Sequence, residues 1–195
     1  MGKAAATAEQ MKSYLKKKNP SVPQSVLDML PRYLSEGEAE GVRGDIAFAQ
    51  SCLETGNFTF SGSAVTLSQN NFCGLGVTQR GRAGLSFDTA QLGIRAQIQH
   101  LKAYASTDKL RNALIDPRFR YVKRGCAPYA EWLGQKENPQ GIGWAAGEKY
   151  GEKILSILKA VMDEGKVQFM ESLTLSAPYM VRVSIPDLNI RKGPG

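Results

Sequence analysis

The sequence is poor in the residues that many enzymes use as bases, nucleophiles or metal ligands. Its 195 residues include one histidine, His100, and three cysteines, Cys52, Cys73 and Cys126. A single histidine excludes a zinc site with two histidine ligands and argues against Ser/His and Cys/His hydrolases. The cysteines match no metal-binding spacing and are predicted to be free thiols. We therefore expect no metal and no cofactor, and we expect His100 to be a packed core residue.

Long hydrophobic runs are also missing. No apolar run reaches the roughly 20 residues that span a bilayer, and the first residues lack the apolar core of a signal peptide. Hydrophobic residues make up 42% of the chain and charged residues 22%, as in ordinary soluble domains. The sequence thus predicts no membrane insertion.

Acidic residues are absent from residues 55–87. Just before this gap, a largely apolar helical pattern over residues 45–53 runs into Glu54, and Gly56 is a helix stop signal. This pattern predicts a carboxyl group at the end of a buried helix, facing a polar stretch rich in Gly and Asn. Burial raises the pKa of a carboxyl group, which suits a general acid. The alternative is a solvated Glu in the last turn of an ordinary helix.

The chain carries a net charge of +7. Basic residues cluster at 16–18 and 118–124, which favours binding to polyanions such as nucleic acid, anionic lipid or the anionic polymers of a cell wall. Charge alone does not choose among them, and solvated helix faces explain most of these residues equally well.

Apolar spacing predicts a mainly α (α+β) fold: a helical body with a small irregular β-lobe after Glu54 and a strand-forming C-terminal tail. Pro31 is expected to kink or break the second helix. The predicted helices cover residues 7–18, 25–40, 45–54, 87–105, 108–114, 117–123, 128–134 and 144–164.

Side-chain amides and aromatic rings surround the predicted position of Glu54. Amides pair with sugar hydroxyls and aromatic rings stack on sugar faces, so these residues suggest a carbohydrate cleft. For the Asn pair the alternative is a simple turn, and for Trp144 a hydrophobic plug at a helix start. The candidate substrate-binding residues are Gln69, Asn70, Asn71, Phe72, Gly74 and Trp144.

In these motifs the chain resembles the glucosaminidases of glycoside hydrolase family 73, bacterial enzymes of peptidoglycan turnover. The resemblance covers about residues 40–160 and, more loosely, the chain from residue 8. It rests on residues 47–56 with Glu54-Thr55-Gly56, on Asn70-Asn71-Phe72 with Gly74-Leu75-Gly76, and on residues 93–101. It implies a lysozyme-like fold, Glu54 as the general acid, and Tyr150 as an active-site residue.

The chain departs from the family at the second acid that many members carry in the β-lobe. The first acid after Glu54 is Asp88, which is either the second carboxylate or an acid favoured at a helix start. Without a second carboxylate, the 2-acetamido oxygen of the sugar could act as the nucleophile, with Tyr150 orienting that amide or stabilising charge.

The resemblance implies a peptidoglycan hydrolase that cuts the β-1,4 bond on the reducing side of N-acetylglucosamine. We expect a monomer that binds glycan strands and an anionic cell wall, and not nucleic acid. The alternatives are a lytic transglycosylase and a non-catalytic wall-binding or nucleic-acid-binding module. We expect a catalytic domain at 1–165, a linker at 166–178, and the start of a bacterial SH3-type domain at 179–195. Action on the wall without a visible signal peptide suggests release during phage lysis or a trimmed secretion signal.

Overall fold

The computed structural model describes residues 1–77 and 83–175, with side chains up to residue 165. Within these residues the chain forms five α-helices and no β-strand, which confirms the mainly helical class and is consistent with a lysozyme-like domain. No helix in the described ranges is long and apolar enough to cross a bilayer. The helices are α1 (Ala8–Lys18), α2 (Gln24–Glu40), α3 (Gly44–Thr55), α4 (Ala90–Ala105) and α5 (Tyr150–Leu175).

Local sequence signals set the ends of α1 and α3. At the start of α1, the Thr7 hydroxyl accepts a hydrogen bond from the Gln10 amide, and the Gln10 side chain accepts one from the Thr7 amide. This reciprocal pair is a capping box. The helix α3 ends where Gly56 adopts φ +59°, a left-handed conformation that glycine adopts without steric cost. That stop leaves Glu54 in the last turn of α3.

The helix α3 lies in the middle of the domain, as its sequence predicts. Ala47, Phe48 and Ala49 are fully buried, with α2 and α5 packed against this helix. The contact with α2 is close because Gly44 has no side chain: a Cβ atom there would lie 1.9 Å from the Tyr33 carbonyl oxygen. On the outside, α4 packs on α2, and α1 packs on α5.

The helix α2 is not broken at its proline, and α4 and α5 begin later than predicted. The helix α2 runs through Pro31 without a break, because packing on α1, α3 and α4 offsets the backbone hydrogen bond that proline cannot make. The last helix begins at Tyr150, later than predicted, because Lys149 adopts φ +56°. It then continues to Leu175, into the predicted linker, while residues 176–195, with the predicted SH3-type segment, lie outside the described residues.

The segment 108–134 is less helical than predicted. The amides of Arg111 and Asn112 donate to the buried carboxylate of Glu40 at 3.0 and 2.9 Å, so these groups bond to a side chain instead of closing a helix at 108–114. Glu40 also forms a buried ion pair with Lys102, with 2.8 Å between Nζ and Oε2. The other two predicted helices are reduced to the 3₁₀ turns Phe119–Tyr121 and Ala130–Leu133.

The lobe after α3 consists of turns, with no strand in residues 56–77 or 83–87. Left-handed backbone at Asn57, Phe58, Phe60 and Asn70 interrupts any extended run, and strands require extended backbone. The predicted short strands are therefore absent from the described lobe. Its one regular element is the 3₁₀ turn Leu67–Gln69.

Candidate active site

Glu54 and Tyr150 meet where α3 ends and α5 begins. Glu54 is half-buried in the last turn of α3, and Tyr150 is the first residue of α5 and only 6% exposed. The Tyr150 hydroxyl donates a short hydrogen bond to Glu54 Oε1. Two of the residues proposed from the sequence, 96 positions apart, are thus in direct contact.

A chain of buried polar side chains fixes Tyr150 from behind. Gln50 Nε2 donates to the Tyr150 hydroxyl oxygen at 3.0 Å, and Gln97 Nε2 donates to Gln50 Oε1 at 2.8 Å. Ser51 Oγ donates to Gln97 Oε1 at 3.0 Å and accepts from the Tyr33 hydroxyl at 2.9 Å. Because Gln50 occupies the acceptor side of the Tyr150 hydroxyl, that hydroxyl is oriented to donate to Glu54.

Burial raises the pKa of Glu54 above its ordinary value, and the hydrogen bond from Tyr150 opposes this rise without cancelling it. Burial and the neighbouring Glu54 charge raise the pKa of Tyr150 well above its ordinary value, so Tyr150 keeps its proton and remains a donor. Since Oε1 of Glu54 accepts from Tyr150, Oε2 is the oxygen left to carry a transferable proton. This is the arrangement of a general acid.

The second oxygen of Glu54 faces the lobe. A Cβ atom placed on Gly74 would lie 4.0 Å from Glu54 Oε2, and Gly74 adopts φ +65°. The same glycine lines a cavity of about 150 Å³ together with His100, Tyr104, Arg118 and Trp144. We call this cavity the lobe cleft. The indole of Trp144 is half-buried in its wall, 4.8 Å from the imidazole of His100 between ring centroids.

The three predicted amide residues hold the lobe together. Asn71 is fully buried; its Nδ2 donates to the carbonyls of Leu75 and Leu85, and its Oδ1 accepts from the Leu75 amide. Gln69 donates to the Gly84 carbonyl, and Asn70 donates to the Phe87 carbonyl. The three side-chain amides thereby connect residues 69–71 to the loop that carries Gly74 and to the segment 84–87.

Burial corrects the substrate-binding assignment of two residues. Phe72 is 1% exposed and packs against Phe58 at 6.0 Å between ring centroids, so its ring is a core residue and does not face a substrate. The amide of Asn71 likewise bonds to backbone and shapes the lobe from inside. Gln69 and Asn70 are half-buried, and their contact with substrate stays a prediction.

Asp88 lies at the start of α4. It is exposed and precedes Thr89, whose hydroxyl caps the helix by accepting from the Leu92 amide at 3.2 Å. An acid at this position interacts favourably with the helix dipole. Its position fits the helix-start role, and its role as a second carboxylate stays a prediction.

Sequence reasoning missed the surroundings of His100. The imidazole is buried as expected, but its Nδ1 lies 2.7 Å from Asp116 Oδ2 and its ring lines the lobe cleft. It missed Gln50 and Gln97 as well, although a fully buried amide on an otherwise apolar helix face is a usable signal for a polar network. The pairing of His100 with Asp116 had no local signal, because a coil segment supplies the acid.

An acid whose pKa is raised by burial, beside a polar cleft, is suited to general acid catalysis on a glycosidic bond. The chain belongs to the Glucosaminidase family, whose sequence model is described as mannosyl-glycoprotein endo-beta-N-acetylglucosaminidase and matches residues 30–163. It is therefore a glycoside hydrolase of the N-acetylglucosaminidase type, and the family implies a peptidoglycan substrate and action outside the cell.

A curated protein is similar to this chain over most of its length. An uncharacterized protein of Borreliella burgdorferi (strain ATCC 35210 / DSM 4680 / CIP 102532 / B31) is 38% identical over 156 residues, which cover 80% of this chain and 72% of the relative. No solved structure matches the chain. The SH3-type segment predicted at 179–195 lies outside the family match.

Proposed function

We propose that the protein is an endo-β-N-acetylglucosaminidase that cuts the β-1,4 bond between N-acetylglucosamine and N-acetylmuramic acid, with Glu54 as the general acid. The observation that carries this proposal is the pairing of Glu54 and Tyr150. Burial keeps Glu54 protonated to higher pH, and Tyr150 leaves its Oε2 facing the Gly74 loop. Glu54 thus combines a retained proton with access to the lobe.

In the first step, Glu54 donates its proton to the glycosidic oxygen as the bond to the anomeric carbon breaks. The departing sugar keeps that oxygen as a hydroxyl group. As Glu54 becomes an anion, the hydrogen bond from Tyr150 strengthens, because bonds to charged acceptors are roughly twice as strong as neutral ones. Tyr150 thereby lowers the barrier without touching the substrate.

For the nucleophile we propose the 2-acetamido oxygen of the sugar that is cut. No acid occurs in residues 55–87, and the described part of this stretch, at 56–77 and 83–87, forms the lobe that faces Glu54. Attack of the acetamido oxygen on the anomeric carbon gives a cyclic oxazolinium ion. Water then attacks the same carbon and gives a proton to the Glu54 carboxylate, while the bond from that carbon to the acetamido oxygen breaks and the acetamide is restored. The two displacements retain the anomeric configuration, and Glu54 is regenerated.

The test is the products of digested peptidoglycan. We expect new reducing ends that carry N-acetylglucosamine, with retained configuration in the first product, and no activity in Glu54→Gln. The matched control is Glu38→Gln, which changes an exposed acid on α2. Near-normal wall clearing by Glu54→Gln contradicts the role of Glu54, and inverted product contradicts the acetamido route.

A second candidate is a lytic transglycosylase, which the lone acid favours. In such an enzyme the C6 hydroxyl of the sugar that is cut attacks the anomeric carbon of the same sugar. The product then carries a 1,6-anhydro end in place of a reducing end. Mass spectrometry separates the two activities, because the anhydro product lacks one water. Binding to walls without any new chain end would instead indicate a non-catalytic wall-binding module.

A further inference from the structure

The lobe cleft contains a cation with no acidic partner. Arg118 lines the cleft, and its guanidinium carbon lies 4.9 Å from the ring centroid of Tyr121. Among the described residues, no carboxylate lies within ion-pair distance of it, whereas Arg43 and Arg95 both pair with buried acids. A half-buried, unpaired guanidinium in a cleft is suited to binding an anion.

The segment that carries Arg118 is fastened to α4. Asp116 is 1% exposed; its Oδ1 accepts from the Arg118 amide at 2.8 Å and its Oδ2 contacts His100 Nδ1 at 2.7 Å. Gln99 Oε1 accepts from the amides of Ile115 and Asp116 at 2.8 and 3.2 Å. Arg118 is therefore anchored at its backbone, and both oxygens of Asp116 are already used.

The cleft adjoins the proposed catalytic acid through Gly74. Gly74 lines the cleft, and a Cβ atom placed on it would lie 4.0 Å from Glu54 Oε2. Trp144 supplies an aromatic wall in the same cavity, a surface on which a sugar ring can stack. An anion bound at Arg118 would therefore belong to a sugar unit close to the bond that Glu54 acts on.

We infer that Arg118 binds a carboxylate of the substrate and so selects glycan strands that carry muramic acid over uncharged N-acetylglucosamine polymers. This inference rests on the proposed function and assigns the substrate specificity of the enzyme to Arg118. Peptidoglycan offers two sources of the same chemistry. One is the lactyl carboxylate of muramic acid on strands without peptides, and the other is a carboxylate of the attached peptide.

The experiment compares KM values for four substrates: peptide-bearing glycan, peptide-free glycan, peptide-free glycan with its lactyl carboxylates reduced to alcohols, and chitooligosaccharides. Losing one charge-assisted hydrogen bond pair corresponds to roughly a tenfold change. We expect Arg118→Gln to raise KM about tenfold on a carboxylate-bearing substrate. We expect no change on the reduced glycan or on chitooligosaccharides.

The matched control is Arg120→Gln. Arg120 is exposed and stacks on the same Tyr121 ring at 4.9 Å, but it does not line the lobe cleft. Its loss removes the same charge two residues away, so a general effect of net charge on wall binding would appear in both variants. A KM rise for Arg118→Gln on peptide-free glycan identifies the lactyl carboxylate, and a rise on peptide-bearing glycan alone identifies the peptide.

Equal KM changes on charged and uncharged substrates, or no change on either, overturn the inference. If Arg118→Gln does not fold, the wild-type enzyme still decides it, because its KM must be higher on reduced peptide-free glycan than on peptide-bearing glycan, whichever of the two carboxylates is bound. Failure of the proposed function looks different, since the wild type then releases no Glu54-dependent reducing ends. In that case calorimetric binding of a muramic acid disaccharide and of chitobiose to Glu54→Gln, with and without Arg118→Gln, still tests Arg118.

Discussion

Replacing Tyr150 by Phe removes the hydroxyl that donates to Glu54. We expect the substitution to lower kcat and, at the same time, to extend the active form of Glu54 to higher pH. The hydroxyl donates to Oε1 and is itself held by Gln50 Nε2 at 3.0 Å. With 6% of Tyr150 exposed, the substitution does not remove a substrate contact. What changes is the stabilisation of the Glu54 anion.

The size of the rate effect follows from the bond that is lost. A hydrogen bond to a charged group contributes about 1.5–3 kcal/mol. If that contribution is realised as Glu54 gives up its proton, kcat should fall roughly 10- to 150-fold. The effect on pH dependence favours activity at high pH. The hydrogen bond from Tyr150 lowers the pKa of Glu54, so losing that bond raises the pKa and keeps Glu54 protonated to higher pH.

The measurement is kcat/KM across pH for the wild type and Tyr150→Phe on one glycan substrate. We expect a lower plateau and an alkaline limb displaced to higher pH. Tyr14→Phe is the matched control, because Tyr14 is a buried tyrosine on α1 that does not contact Glu54. Tyr150→Phe also leaves Gln50 Nε2 without its acceptor, so far-UV circular dichroism must show that this variant is folded.

An alkaline limb that stays in place or moves to lower pH would refute this reasoning. Such a result would mean that Tyr150 does not stabilise the Glu54 anion, whatever the loss of rate. A tenfold rise of KM with unchanged kcat would also contradict it, since that pattern indicates lost ground-state binding.

Three further predictions concern stability. Burial raises the pKa of folded Glu54. The contribution of Glu54 to folding stability is therefore fully present below its unfolded pKa and is lost as pH rises through its folded pKa. Glu54→Gln should have a higher Tm than the wild type at neutral pH, and equal Tm values at pH 7 would contradict this. Lys102→Met leaves a buried carboxylate unpaired and should cost about 3–5 kcal/mol in urea unfolding, whereas Lys136→Met breaks an exposed pair and should cost under about 1 kcal/mol. Gly93→Ala places a Cβ atom 1.7 Å from a lobe carbonyl oxygen and should lower Tm and kcat together, while Gly147→Ala, with open space around it, should change neither.

Much of the helical body was predictable because its signals are local. The capping box of α1 uses residues three positions apart, and the stop at Gly56 is a property of one residue. The apolar run in α3 predicts burial by itself, and burial followed by an acid predicts the raised pKa of Glu54. The predicted helix at 108–114 was wrong because its local signals were overridden by a distant partner. Two of its amides bond to Glu40, which lies more than 70 positions earlier.

The predicted lobe residues show where local reasoning ends. Asn70, Asn71 and Phe72 were predicted from their chemistry to contact a sugar. The chemistry of an amide is equally suited to backbone carbonyls, and Asn71 bonds to those of Leu75 and Leu85. Which partner an amide takes depends on what the fold brings near it, and the sequence pattern does not contain that information.

The sequence alone determined that this chain is a helical domain with a carboxyl group buried at the end of its central helix, because periodicity, caps and glycine stops act over a few residues. Only the tertiary structure decided that the hydroxyl of Tyr150 meets Glu54, that Gln50 and Gln97 hold it there, and that Arg118 lines the adjoining cleft. Contacts of this kind join separate elements, and their geometry follows from how the helices pack around α3. The proposed general acid is thus foreseeable as a residue, but its hydrogen-bond partner and the cleft beside it are properties of the folded chain.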